Sequence, residues 1–283
     1  TDANNYSLTQ PTTTANITAK TITVTGITAD LKIFDNTTVA SVNTSSAVTV
    51  GIESGDSASL NTASVSGAFA DTVVANGKTV QIAGVTLTGT DAGNYTVTQP
   101  TTTADMIAAS AGLTWNTPSD ITYGTTLSAT QLNATTNIAG TFTYTPAAGT
   151  RLTAGTHTLS VSFTPTNPAY DPDSATVSIV VNTKTLTVSG LTTSSRVYDS
   201  TTSATSQIDT SAAQLNGVLS GDAVTMSTSA IQGAYADKTV GVNKNITVSG
   251  ITVAGANVNN YSLTQPSLTG TVTAKSVSYT HLR

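Results

Sequence analysis

Few residues in this 283-residue chain can do acid–base, nucleophilic or metal chemistry. Two are histidines, His157 and His281. His157 shares strand parity with Leu159 and Val161, so it falls at the end of a core-facing row. His281 sits in the last few residues. Cysteine is absent, and no G-x-S-x-G elbow marks a nucleophile. Serine and aspartate are so common that a Ser-His-Asp set is available by chance. The expectation is a protein that is not an enzyme, with no catalytic residue and no bound cofactor.

Metal binding is the stronger chemical candidate. Asp171 and Asp173 in AYDPDS stand two apart, as in oxygen-rich calcium loops. The rest of an EF-hand pattern is missing. Asp35, Asp56 and Asp71 recur as Asp199, Asp222 and Asp237 at loop-like places. Carboxylates from two loops can share a calcium ion, but no segment gathers three ligands. The simpler expectation is that each aspartate caps its own turn, leaving Asp171 and Asp173 as weak calcium candidates. Lys20, Lys184 and Lys275 recur at strand starts. A lysine–asparagine or lysine–aspartate crosslink is one use for them, and a solvated boundary residue is the plainer one. Repeated Thr-x-Thr strands suggest an ice-matching lattice, but threonine is also the default solvent-face strand residue. Tyr6, Tyr95 and Tyr261 each precede an alternating strand. They are expected to pack a ring at the end of a unit, with the hydroxyl reaching backbone. Trp115 is read as core or inter-domain packing rather than a sugar platform.

The elements that must position these residues are strands. Ile22 and Val24 alternate with threonines, as do Leu186 and Val188. Leu159, Val161 and Phe163 alternate with Ser160, Ser162 and Thr164. Val80–Ile82 and Val85–Leu87 flank Gly84, and Ile246–Val248 and Ile251–Val253 flank Gly250, as hairpins would. No segment keeps a helical period with caps, so almost no helix is expected. Composition agrees. Hydrophobic residues make up 38% but charged residues only 9% and aromatics 5%. Threonine alone is roughly a fifth of the chain, well above ordinary usage. The net charge of −5 argues against a nucleic-acid partner, which needs clustered cations. No run of eighteen apolar residues is present, so no membrane insertion is expected. No basic-then-apolar leader opens the chain.

The chain repeats itself. TITVTGIT matches TLTVSGLT, ESGDSASL matches LSGDAVTM, and VSGAFADTVV matches IQGAYADKTV. From Gly55 onward the register is constant: Gly55 matches Gly221, Asp71 matches Asp237, and Tyr95 matches Tyr261. Before it, Gly26 matches Gly190 and Asp35 matches Asp199, so one short loop differs by two residues. NNYSLTQP at 4–11 returns at 259–266, with GNYTVTQP at 93–100. It reads as the closing strand of each repeat. The expected organisation is the tail of a truncated repeat at 1–20, a repeat at 21–109, a different unit at 110–183, and the second repeat at 184–275. Residues 276–283 are either the start of a further repeat or a foreign tail. The fold class expected is all-β, as tandem immunoglobulin-like β-sandwich domains forming an elongated array.

The two long units resemble bacterial YDG repeats. IFDNTT at 33–38 and VYDSTT at 197–202 stand where that family has Y-D-G-T-T. The central G-D, the G-x-[FY]-A-D segment and the closing N-Y-T-x-T-Q-P follow. The family's glycine is Asn36 in one copy and Ser200 in the other. The middle unit is similar to bacterial Ig-like repeats, with Y-G-T-x-L-S at 123–128 and G-T-F-x-Y-x-P at 140–146. Both types recur in filamentous-haemagglutinin-like surface proteins. The resemblance implies an exported, repetitive stalk, extracellular or on the bacterial cell surface. Such a stalk projects a distal binding region, and its partners are neighbouring repeats of the same chain. A host glycan or host protein would be met through other regions. Two other readings stay open: loops of these units bind carbohydrate or host protein directly, or arrays associate as a biofilm scaffold.

Overall fold

The computed structural model describes residues 2–278. His281, and with it most of the closing segment read as a foreign tail or new repeat, lies outside the described residues. The chain is all-β. Among the described residues there is no α-helix, and short 3-10 turns such as Ala92–Asn94 and Val258–Asn260 are the helical elements. The chain divides into two compact units. Unit 1 holds residues 1–112, 137–141 and 164–173, and unit 2 holds 113–136, 142–163 and 174–283.

In unit 1 the first repeat opens on Lys20–Thr25, whose Ile22 and Val24 are buried while its threonines face water. This alternation is the pleat of a half-buried strand. The strand runs parallel to Tyr95–Val97, with Lys20 opposite Tyr95, and antiparallel to Val48–Val50. The NYTVTQP phrase thus closes its own repeat against the repeat's first strand. A five-stranded sheet follows the order Lys32–Ile33, Thr101–Ile107, Ala75–Ala83, Ser66–Phe69, Val39–Ala40. Val80, Ile82, Phe69 and Met106 from it form the core with Val24 and Phe34. Burying side chains of this size contributes about 1.5–3 kcal/mol each.

Unit 2 repeats the plan. Lys184–Ser189 runs parallel to Tyr261–Leu263 with Lys184 opposite Tyr261, and antiparallel to Gln214–Asn216. Arg196–Val197, Ser267–Thr273, Gly241–Ser249 and Gln232–Tyr235 form its larger sheet. Ile246, Val248, Tyr235 and Val272 fill the core of that sheet. A further four-stranded sheet runs Ile121–Thr122, Asp173–Asn182, Gly155–Pro165, Gly140–Thr145. Its Leu159, Ile179 and Val181 share one buried cluster with Tyr123, Leu186 and Tyr261. The apolar clusters therefore cross the expected boundary at 183/184.

Two expectations are corrected. The segments around Gly84 and Gly250 are not hairpins. Ala75–Ala83 pairs with Ser66–Phe69 and Thr101–Ile107, whereas Thr86–Thr88 pairs with Ser59–Asn61. Gly250 likewise separates Gly241–Ser249 from Thr252–Ala254, which pairs with Thr225–Ser227. Each glycine instead carries the chain from one sheet to another. Gly250 has a φ of +80°, and a Cβ there would lie 2.0 Å from the carbonyl oxygen of Ala230. Only glycine permits that approach. Tyr6 is the second correction. It is 83% exposed, and residues 6–19 form no strand.

Candidate functional site

The aspartates of the two repeats fall into two sets. Asp35, Asp71, Asp199 and Asp237 cap their own turns, as expected. Each accepts the backbone N–H two residues on: Thr37 at 2.9 Å, Val73 at 2.8 Å, Thr201 at 2.9 Å and Thr239 at 2.8 Å. Lys78 and Lys244, one in each copy, then bind Asp71 and Asp237, and each lysine also donates to a backbone carbonyl. These cations join residues on either side of one turn. The seven-residue Asp–Lys spacing, present in both copies, is the sequence signal that marks them.

The turn that carries the YDG-like signature has its own device. Asn36 and Ser200 have φ of 65° and 72°, the left-handed region that glycine enters at least cost. The flanking aspartate fixes the turn, since Asp35 also takes the Thr37 hydroxyl at 2.7 Å and Asp199 that of Thr201 at 2.9 Å. A cation sits beneath: Lys32 on Asp35 at 2.7 Å in the first copy, Arg196 in the second. Arg196 is buried, donates to the Thr201 hydroxyl and carbonyl, and lies over the Tyr235 ring at 4.9 Å.

Asp56 and Asp222 do something else. Tyr95 donates its hydroxyl to Asp56 at 2.5 Å and accepts the Glu53 amide at 3.0 Å. Tyr261 donates to Asp222 at 2.6 Å and accepts the Leu219 amide at 3.0 Å. The tyrosines reach backbone as expected. The carboxylate partner was not foreseen, because it lies in a different loop.

In unit 2 this pair becomes a joint. The Tyr123 hydroxyl donates to the same Asp222 oxygen at 2.7 Å, and Arg151 Nη2 donates to the other at 3.0 Å. The Asp222 side chain is left 1% exposed. Tyr123 meets the Tyr261 ring edge-on at 5.3 Å, and the Arg151 guanidinium covers the Tyr123 ring at 5.2 Å. Asn260, also buried, accepts the Ala154 amide at 2.8 Å. The Tyr261 hydroxyl first, then that of Tyr123, lower the Asp222 pKa. Burial first, then Asp222, pushes both tyrosines up. The arrangement is a charge-assisted network of an ionised acceptor and neutral or cationic donors. It ties the segments that carry Tyr123, Arg151 and Ala154 to those that carry Asp222, Asn260 and Tyr261.

The other candidates are dispersed. Asp171 is exposed and ends the strand Tyr170–Asp171. Asp173 is half-buried and begins Asp173–Asn182. Among the described residues no three His, Cys, Asp or Glu side chains gather into a metal-binding group. His157 is half-buried on the row of Leu159, Val161 and Phe163, with Nε2 at 2.7 Å from the Thr153 carbonyl. Trp115 donates to the Gln131 carbonyl at 3.1 Å and meets Tyr144 edge-on at 5.4 Å. That is the packing role expected of it. Lys20 pairs with Glu53, and Lys275 is exposed. An open groove in the second copy, about 690 Å³, is lined by polar residues such as Ser203, Thr205, Gln232 and Thr247, with no titratable side chain.

These features define an all-β protein made around two copies of one repeat, each closed by a tyrosine–aspartate pair. Residues 18–104 and 182–270 both match the YDG domain, and the chain belongs to the YDG-domain family. Among curated proteins none matches the chain in sequence. Among solved structures, a calcium-stabilised adhesin that helps an Antarctic bacterium reach out and bind ice is similar over 93% of this chain and 76% of that chain, at 14% identity and a TM-score of 0.24. Among the described residues no helix is long and apolar enough to cross a membrane.

Proposed function

We propose that this chain is a spacer segment of a large bacterial surface or secreted adhesin, one that holds a distal binding region away from the cell. The observation that carries the reading is the joint at Asp222. A stalk needs successive repeats fixed to one another, and buried charge-assisted hydrogen bonds with ring packing resist bending better than a bare linker. Tyr123 and Arg151 come from the 110–183 segment, and Asp222 and Tyr261 from the second YDG copy. In this reading the YDG copies at 21–109 and 184–275, with an Ig-like unit at 110–183, are successive modules. Residues 1–20 are then the tail of another YDG-like module. Low charge and sparse aromatics suit a passive element, since binding hot spots favour Trp, Tyr and Arg.

Force spectroscopy on the tethered chain tests this. A spacer gives discrete unfolding peaks, and Asp222→Asn lowers the peak force of unit 2. Saturable binding of this chain to surface glycans or host proteins, with unfolding forces indifferent to Asp222→Asn, would reject the spacer role. Concentration-dependent light scattering would favour a side-by-side scaffold instead.

A further inference from the structure

Two asparagines in the chain are followed by glycine, at Asn76–Gly77 and Asn216–Gly217. In such a pair the backbone nitrogen reaches the preceding side chain most easily, since glycine has no Cβ in the way and its backbone turns freely. Both asparagines are exposed, but the fold treats them differently. Asn216 ends the strand Gln214–Asn216, opposite Thr187, and its Nδ2 donates to the Ser189 hydroxyl at 2.8 Å. A Cβ on Gly217 would lie 3.0 Å from the Thr185 carbonyl oxygen, so this glycine sits against the neighbouring strand. Asn76 and Gly77 lie in a bulge. Ala75 is opposite Met106 and Lys78 opposite Ala104, so both residues face Asp105 and fall outside the regular ladder. Gly77 has a φ of +62°, and among the described residues no atom lies within 4 Å of where its Cβ would stand. None of them holds the Asn76 carboxamide. The Gly77 N–H donates to the Asp105 carboxylate at 2.7 Å, a side chain in place of a ladder carbonyl.

We propose that Asn76 is a self-modification site gated by Asp105. The Gly77 nitrogen attacks Cγ of Asn76. The N–Cγ bond forms, the Cγ–Nδ2 bond breaks, and ammonia leaves with the proton that the Gly77 nitrogen gives up. Solvent water then opens the five-membered imide at either carbonyl, leaving aspartate or isoaspartate. The new N–Cγ bond forms along the direction in which the N–H now points, so the Asp105 bond must open first. One side-chain bond at a bulge opens without unpairing the sheet. At Asn216 the carboxamide must be released from Ser189 and the glycine freed from a packed strand. The bulge also suits the product, since isoaspartate lengthens the backbone where the strand already carries an extra residue. The second copy keeps the bulge without the chemistry. Val242 and Asn243, the latter at φ 54°, stand for Asn76 and Gly77, and Thr271 stands for Asp105. Each event places a new carboxylate within the turn that Asp71 and Lys78 close. This inference stands on the two Asn–Gly pairs and not on the spacer role.

The experiment ages the folded chain in neutral buffer and cleaves it after lysine and arginine. Asn76 then falls on fragment 33–78 and Asn216 on fragment 197–238. Mass spectrometry reads the amide-to-acid change, and an isoaspartyl methyltransferase labels the isoaspartate. Asn76 converts several-fold faster than Asn216, and in denaturant the two rates converge. Asp105→Ala speeds Asn76 about tenfold, the population cost of opening one hydrogen bond to a charged acceptor, and leaves Asn216 as it was. Val242→Asn with Asn243→Gly moves the pair to the second copy, where no carboxylate gates it, and makes a site faster than Asn76. Asn216 keeping pace with Asn76 in the folded chain overturns the proposal. So does Asp105→Ala leaving Asn76 as slow as before. An Asp105→Ala chain that unfolds is recognised by a faster Asn216. The transplanted pair then decides, and its converting no faster than Asn76 overturns the gate.

Discussion

Tyr261 donates its hydroxyl to Asp222 across 2.6 Å while accepting the amide of Leu219, and Tyr95 does the same with Asp56 and Glu53 in the other repeat. One hydroxyl therefore ties the closing strand to a distant loop twice. Tyr261→Phe keeps the ring but strands a backbone N–H and removes one donor from a buried carboxylate. The expected cost is about 1–2 kcal/mol. Urea titration followed by the emission of Trp115, which lies in unit 2, reads it. An unchanged midpoint would mean that the network adds nothing.

Acid should unfold the protein through these carboxylates. The Lys32 ammonium first, then the Thr37 hydroxyl and amide, hold Asp35 down at about 2. Lys244 and Thr239 depress Asp237 further, and Lys78 with the Val73 amide depresses Asp71. A carboxyl lowered by folding adds stability above its unfolded value of about 3.9 and loses it as pH falls towards the folded value. Tm is therefore flat from about pH 5 to 8 and falls below about pH 4. The tyrosines have the opposite sign. Tyr123 and Tyr261 are raised, so their contribution is present below about pH 10 and disappears as pH climbs past it. Calorimetry across pH checks both limbs, and Asp222→Asn should flatten the acid limb.

The signature turn holds a non-glycine residue with positive φ in both copies. Ser200, at φ 72°, bears a Cβ penalty of about 1–2 kcal/mol, partly offset by the extra chain entropy that glycine loses on folding. Ser200→Gly should raise stability by about 0.5–1 kcal/mol. Asn36→Gly should gain less, because asparagine tolerates this region better. Thermal melts of the two variants rank them, and a destabilised Ser200→Gly would refute the strain argument.

Calcium should leave Tm unchanged within this segment. Asp35, Asp71, Asp199 and Asp237 are already committed to lysine, arginine or threonine partners, and Asp222 to tyrosines and Arg151. Melting in millimolar calcium and in chelator compares the two states. A calcium-dependent rise abolished by Asp171→Asn would instead make Asp171 and Asp173 ligands.

Much of the fold was legible in the residues themselves. Strand alternation at Ile22/Val24 and Leu159/Val161/Phe163 follows from a side-chain period of two, which needs no tertiary information. The two copies were legible because a repeated sequence meets the same local physics twice, and the turn-capping aspartates because their bonds span two residues. Other features were not. Gly84 and Gly250 read as hairpin turns, yet their flanking strands go to different sheets, since a turn sets direction but not partner.

Tyr6, Tyr95 and Tyr261 carry the same local phrase, and sequence alone gives them the same fate. Tertiary structure buries Tyr95 and Tyr261, whose strands pair with Lys20–Thr25 and Lys184–Ser189, and leaves Tyr6 exposed. The joint at Asp222 was equally hidden. Tyr123, Arg151, Asp222 and Tyr261 come from separate segments, and only the folded chain brings three donors around one carboxylate. Local sequence determined which residues alternate and which loops cap themselves. Long-range packing decided which acids became ion pairs at turns and which became the buried centre of a joint.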